Sequence, residues 1–165
     1  MGIKEDLEKV MQQERELVLP GFTNDIAWEL GRAIRGFAAK RGLSVVIDIR
    51  RFGQPLFYTA LSGTTPDNLE WVRRKNNVVA RFHRSSYAIG LKEKLKGESI
   101  TDQQGLSIAD YCTHGGAFPL TVENIGVVGS ATVSGLPQRA DHELVVEALC
   151  ILLGRDYASL CLAPE

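Results

Sequence analysis

The chain has 165 residues, 19 Lys and Arg against 20 Asp and Glu, a formal net charge of −1, and 44% apolar and 24% charged residues. These are ordinary globular proportions, so disordered and fibrous classes are excluded, and so is general nucleic-acid binding, which needs a field of excess positive charge. The length suits a single α+β domain over residues 1–165, and no repeat or break in composition divides it.

The opening residues, MGIKEDLEKVMQQERE, carry charge throughout and lack the apolar core of a signal peptide. The longest apolar runs, around LSVVIDI and ELVVEALCILLG, fall short of the roughly 20 residues that span a bilayer. Cys112, Cys150 and Cys161 form an odd set without a C-x-x-C pair, so neither a disulfide framework nor a metal site is expected. The expectation is a cytoplasmic protein with no membrane or nucleic-acid partner.

Ile3 to Glu16 places Ile3, Leu7, Val10 and Met11 at helical spacing. Pro20 and Gly21 break that helix, and Thr23 or Asn24 caps a second one, with Ile26, Leu30, Ile34, Phe37 and Ala38 facing a core and Gly42 closing it. LSVVIDIR and PLFYTAL, separated by RRFGQ, read as an antiparallel hairpin. Thr65-Pro66 opens the next helix, Ser85 or Ser86 restarts a shorter one through to Gly97, and Ser107 caps a further turn or two up to His114. AFPLTVE and IGVVGSATVSG form a second β unit around Asn124 to Gly126. Asp141 is then expected to cap a final helix that ends at Gly154. Helices, hairpin, helices, hairpin and helix suit an antiparallel sheet covered by helices.

The helix beginning at Thr65-Pro66 contains WVRRKNNVVARFHRSS, where a near-neutral chain gathers five Lys and Arg residues and one His without an acid. At about 100° per residue, Val72, Val79, Leu69, Phe82 and Trp71 form a buried stripe. Arg73, Arg74, Arg81 and Arg84 fall on the opposite arc, a face for solvent, a subunit or a partner. Lys75, Asn76 and His83 land inside the apolar arc. Buried polar groups need partners, so these three are the sharper ligand-binding candidates, unless Lys75 snorkels to solvent, Asn76 bonds to a nearby loop, or the helix ends before His83.

HGGAFPL sets His114 before Gly115 and Gly116. It reads either as a tight turn into a strand or as a close backbone approach to a ligand, with His114 hydrogen-bonding it or ligating iron. SGLPQRADHELVVEAL runs from a strand end at Ser134 and Gly135 into a helix N-terminus, where free N–H groups and Arg139 favour an anion. His142, in the first turn, reads as exposed or as a neutral donor. No Ser-His-Asp, Walker, H-E-x-x-H or dinucleotide pattern occurs.

Three segments together resemble the haem-degrading-domain family, also called GlcG/HbpS-like, and most of all its branch of uncharacterised proteins of about this length. They are WVRRKNNVVARFHRSSY, VVIDIRRFGQPLFYTAL and HGGAFPLTVENIGVVGSATVSGLPQRADHELVVEAL. The resemblance implies a profilin-like α+β fold with a central antiparallel sheet flanked by helices, and a homo-oligomer built on dimers. It also matches the family's glycine-rich strand-turn segment at Gly115, Gly116, Gly129, Ser134 and Gly135. Haem is the cofactor it brings into question, although the basic W-x-R-R-K helix belongs to this branch and no catalytic set carries over. Three functions follow as expectations: a small-ligand-binding protein taking haem or another anionic small molecule between sheet and helices, a haem-degrading enzyme, or a non-catalytic interaction module.

Overall fold

A computed structural model describes residues 2–164. The elements in chain order are α1 (Ile3–Glu16), β1 (Val18–Leu19), α2 (Asn24–Lys40), β2 (Val46–Arg51), β3 (Gln54–Ala60), α3 (Pro66–Phe82), α4 (Ser86–Lys96), α5 (Ile100–Gln103), β4 (Ala117–Val122), β5 (Gly126–Ser134), α6 (Gln138–Leu153) and α7 (Tyr157–Leu160). The strands form a five-stranded sheet in the order β1-β4-β5-β2-β3, antiparallel except where β1 lies parallel to β4. The fold is α+β, with helices flanking this sheet. Among the described residues no helix is long and apolar enough to cross a membrane.

Alternation along the strands divides the sheet into two unlike faces. Ile47 pairs with Val133, and Ile49 with Ala131, which also pairs with Phe118; all five are buried in the main core with Leu30 and Ile34 of α2 and Val145 and Leu149 of α6. On the other face Asp48 pairs with Thr132, Arg50 with Ser130 and Val46 with Ser134. That second face is polar, and α3 packs over it.

The starts of these helices follow from their residues. The Thr23 hydroxyl accepts from the Ile26 N–H at 3.2 Å. Thr65 and Asn68 form a reciprocal capping box ahead of Pro66, which suits a first-turn position lacking a partner for its N–H. Other expectations change. β1 was hidden in the helix break, because two residues carry no strand period. Ser107 does cap a single turn, its Oγ accepting from the Ala109 N–H at 3.2 Å, but a short helix not foreseen, α5, lies earlier, over Ile100–Gln103. Ile3 and Leu69, expected on apolar stripes, are 41% and 42% exposed.

α1 docks on α4 through an apolar cluster of Val10 with Tyr87, Ala88 and Leu91, and on the segment before α4 and the first turn of α6 through polar groups. Asp6 pairs with Arg139, Glu14 lies 3.0 Å from Arg84, and the Ser85 N–H donates to Glu14 at 2.8 Å. The buried residues of α1 are accordingly Asp6, Val10, Gln13 and Glu14.

Strand spacing leaves no room at Gly129 of β5, where a Cβ would sit 2.0 Å from the Arg50 carbonyl oxygen. Gly129→Ala therefore costs about 3 kcal/mol by overpacking against backbone. Gly36→Ala, on the exposed face of α2 with open space around it, gains about 0.5–1 kcal/mol. Urea unfolding midpoints, with unchanged slopes, test both shifts.

Candidate functional site

Lys75 is 2% exposed, on the face of α3 that meets the sheet. Its Nζ lies 3.0 Å from Asp141 Oδ2 and donates to the Val133 carbonyl at 3.3 Å. Asp141, itself 1% exposed, also accepts from the Leu136 N–H at 2.9 Å and the Gly135 N–H at 3.3 Å. Burial pushes its carboxyl above the usual range, while Lys75 and the two N–H groups act against that rise. Asp141 is thus not the cap of α6: Pro137 occupies that position, and Asp141 turns back to the strand end. The anion at this helix N-terminus is the protein's own.

Gly116 adopts φ 136, and a Cβ there would fall 2.8 Å from Lys75 Nζ and 2.3 Å from the Val133 carbonyl oxygen. What crowds the glycine pair is the protein itself: Lys75 and the Val133 backbone at Gly116, the Gln138 backbone and Tyr87 at Gly115. Asn76 turns inward one position further on. Its side-chain N–H donates to Asp48 at 3.2 Å, and its carbonyl accepts from Thr132 at 2.9 Å and from Ser130. Asp48 in turn holds Arg50 by two bonds of 2.7 Å. Asn76 therefore serves the polar sheet face and not an open site.

Beside the Lys75–Asp141 pair opens a cleft of about 250 Å³, lined by Asp67, Trp71, Lys75, His114, Ser134 and Gln138 among others. Gly135 sits at its rim, and Gly115 is fixed behind it by donating to Gln138 Oε1 at 3.1 Å. The Trp71 indole N–H donates to Asp67 at 3.1 Å. The exposed His114 ring stacks on Trp71 with centroids 5.3 Å apart and planes 21° from parallel. Partial loss of water, followed by the fields of Lys75, Lys94 and Arg74, lowers the His114 pKa, so the imidazole is neutral at pH 7.

Lys75, His114, Ser134 and Gly135 thus converge on one cleft, with Gly115 and Gly116 behind it. His83 does not join them. α3 ends at Phe82, so the helical angle no longer applies; His83 adopts φ 53 as the C-cap, is exposed, and stacks on Phe52 at 5.6 Å. The arginines also divide. Arg73 binds Asp110, Glu70 and the Ala109 carbonyl, Arg84 binds Glu14, Arg74 lies 4.4 Å over Trp71, and Arg81 is exposed. Sequence reasoning missed Trp71, taken as core, and Asp67, Gln138 and Asp141. A buried lysine does signal a buried carboxylate somewhere, but not which one.

His142, read from the sequence as exposed or as a neutral donor, is fully buried and neutral. Its Nε2 meets Gln13 of α1 at 2.8 Å, and its ring lies 5.1 Å from Tyr87 and 5.7 Å from Phe118. α1 covers this end of α6. Burial, aided by Arg139, lowers the His142 pKa from 6.5 to about 3.

A five-stranded sheet with helices on both faces defines an α+β fold also seen in HbpS, to which this chain has a TM-score of 0.65 and 21% identity over 81% of its length and 91% of that chain. The family description "haem degrading protein HbpS-like" matches residues 22–150, and the chain belongs to that family. Relatives called UPF0303 protein, from Burkholderia ambifaria and Paraburkholderia phymatum, are 60% and 57% identical over 163 residues, covering 99% of either chain. The crystal structure of Ybr137w protein superposes with a TM-score of 0.85 at 29% identity, covering 93% of this chain and 92% of that one. A PduOC:heme complex shares the fold at a TM-score of 0.68 and 16% identity, over 79% of this chain and 94% of that one.

His142 gives a pH dependence of defined sign. The unfolded chain protonates it near 6.5 and the folded chain only near 3, so between these values the unfolded state binds more protons. Its contribution to stability is complete above about pH 6.5 and falls by up to roughly 1.4 kcal/mol per unit as the pH drops toward 3. His142→Gln, which keeps a partner for Gln13, flattens this slope in denaturant melts taken from pH 7 to pH 4.

Proposed function

We propose that this chain is a small-ligand-binding protein whose site is the cleft beside Trp71 and His114, and whose ligand is a planar anionic molecule. Haem is the first to test. The observation that carries this reading is His114: an exposed imidazole, neutral at pH 7, held flat against an indole and set among Lys75, Lys94 and Arg74. Neutral imidazole is the form that ligates iron, the indole face suits a flat ring, and the cations suit carboxylates. Membership of the HbpS-like family and the likeness in fold to the PduOC:heme complex support it.

The dimensions limit how such a ligand sits. A cleft of about 250 Å³ is smaller than the roughly 300–1,000 Å³ pockets that enclose drug-sized ligands. It takes one edge of a tetrapyrrole and leaves the rest at the surface. His114 would hold the iron, Trp71 the ring edge, and Arg74 a carboxylate; bound iron would supply the redox and oxygen chemistry. Ser134 and Gln138 supply polar contacts at the rim.

The same reading includes a homo-oligomer built on dimers and a cytoplasmic location. β3 is an open sheet edge, and near it Trp28 and Tyr58 are 57% and 47% exposed, which supports association there. The free thiols of Cys112, Cys150 and Cys161 support a reducing compartment.

Haemin titrated into the protein at micromolar concentration gives a shifted Soret band, which His114→Ala abolishes and His83→Ala leaves unchanged. An unshifted band rejects haem as the ligand. Light scattering gives a mass that is an even multiple of the 18.1 kDa chain. A monomer at working concentration rejects the oligomer.

A further inference from the structure

The Trp71–His114 stack has a second side. Beyond it lies another cleft, of about 350 Å³, lined by Arg74, Ile108, Tyr111, Cys112 and Thr113 among others. Among the described residues the two clefts have Trp71 and His114 in common. They are one groove along α3, divided by a single pair of stacked rings.

One of those rings is free to leave. The backbone around His114 is fixed: its N–H donates to Cys112 Sγ at 3.4 Å and the Gly115 N–H donates to Gln138 at 3.1 Å. Its side chain is exposed and, among the described residues, makes no hydrogen bond, only the stack on Trp71. Rotation about the side-chain bonds of an exposed residue is fast and moves no backbone. Trp71 is held from two sides, by Asp67 at its indole N–H and by Arg74 at 4.4 Å over the ring.

Charge along the groove indicates what fits. Lys75 is neutralised by Asp141, whereas Asp67 and Glu93 keep their charge and are turned to neutral donors: Asp67 to the indole N–H at 3.1 Å, Glu93 to the Thr113 hydroxyl at 2.6 Å and the Ile100 N–H at 2.7 Å. Arg74 has no carboxylate partner among the described residues and reaches only the Ile108 carbonyl, at 3.5 Å. The groove therefore presents a flat aromatic face in its middle and an unneutralised guanidinium on the far side.

We propose that His114 is a swinging partition: the ligand is an elongated planar aromatic carboxylate that displaces the imidazole from the face of Trp71 and spans both clefts, with its carboxylate on Arg74. This rests on the binding reading above and adds to it the shape of the ligand and the displacement. It also separates two roles of one residue, since a displaced imidazole can still hold iron whereas an iron-free ligand gains nothing from it.

Iron-free protoporphyrin IX tests the partition. In the full chain carrying Trp28→Phe, fluorescence reports Trp71 alone, because the sequence has two Trp residues. Protoporphyrin IX quenches that fluorescence. His114→Ala, relieved of the stack that must be broken, binds it about two- to tenfold tighter. His114→Phe, which restores an aromatic partition, returns the affinity to that of the parent, and Arg74→Gln weakens it several-fold. If His114→Ala binds protoporphyrin IX no tighter than the parent, the imidazole is a fixed wall and the partition is wrong. Haemin binding with a shifted Soret band but no quenching by protoporphyrin IX overturns the partition and leaves the binding reading standing. Failure of both ligands overturns both.

Discussion

A lysine ammonium withdrawn from water has to meet a carboxylate, and in this fold much of the local architecture follows from that requirement at Lys75. Removing one partner of a buried pair leaves an uncompensated charge, at a cost of about 3–5 kcal/mol, comparable to much of a domain's net stability. The pair therefore fixes the distance between α3 and the first turn of α6. It also fixes the loop between β5 and α6, because Asp141 takes the N–H groups of Gly135 and Leu136 with its remaining oxygen valences. The cleft lies beside this pair, which forms part of its lining.

The polar sheet face extends the same logic. A sheet with one apolar face is ordinary, but here Asp48, Ser130 and Thr132 on the other face are all nearly inaccessible to water. Each needs a partner, and Asn76 serves all three at once with one amide. α3 is thus seated by polar groups of fixed direction as much as by Val72, Val78 and Val79. Directional contacts of this kind set the rotation of the helix about its axis, which is what points Trp71 into the groove and places Arg74 beside it.

How much of this was legible depends on how local its cause is. The inward turn of Lys75 and Asn76 was readable, because helical angle is a property of a few neighbouring residues. The two hairpins were readable from β-branched alternation. His83 follows the alternative already open in the sequence: α3 ends one residue before it, so its helical angle does not apply. His142 was misplaced because what buries it is α1, whose Gln13 is 129 positions away in sequence. Asp141 was given only a cap's role, since its true partner lies 66 residues back. The convergence of Lys75, His114, Ser134 and Gly135 on one cleft required the sheet order, which two separate hairpins do not specify.

The crowding around Gly116 constrains how this sequence can drift. Lys75 cannot shorten without stranding Asp141, Asp141 cannot change without stranding Lys75, and Gly116 cannot gain a side chain without pressing on the ammonium. Each single replacement is unfavourable while the others remain, so these positions are epistatic and accept change only as a set. His114 and Trp71, which line the same cleft, carry no such mutual dependence of charge. The rim of the groove can therefore diversify one substitution at a time around a foundation that cannot.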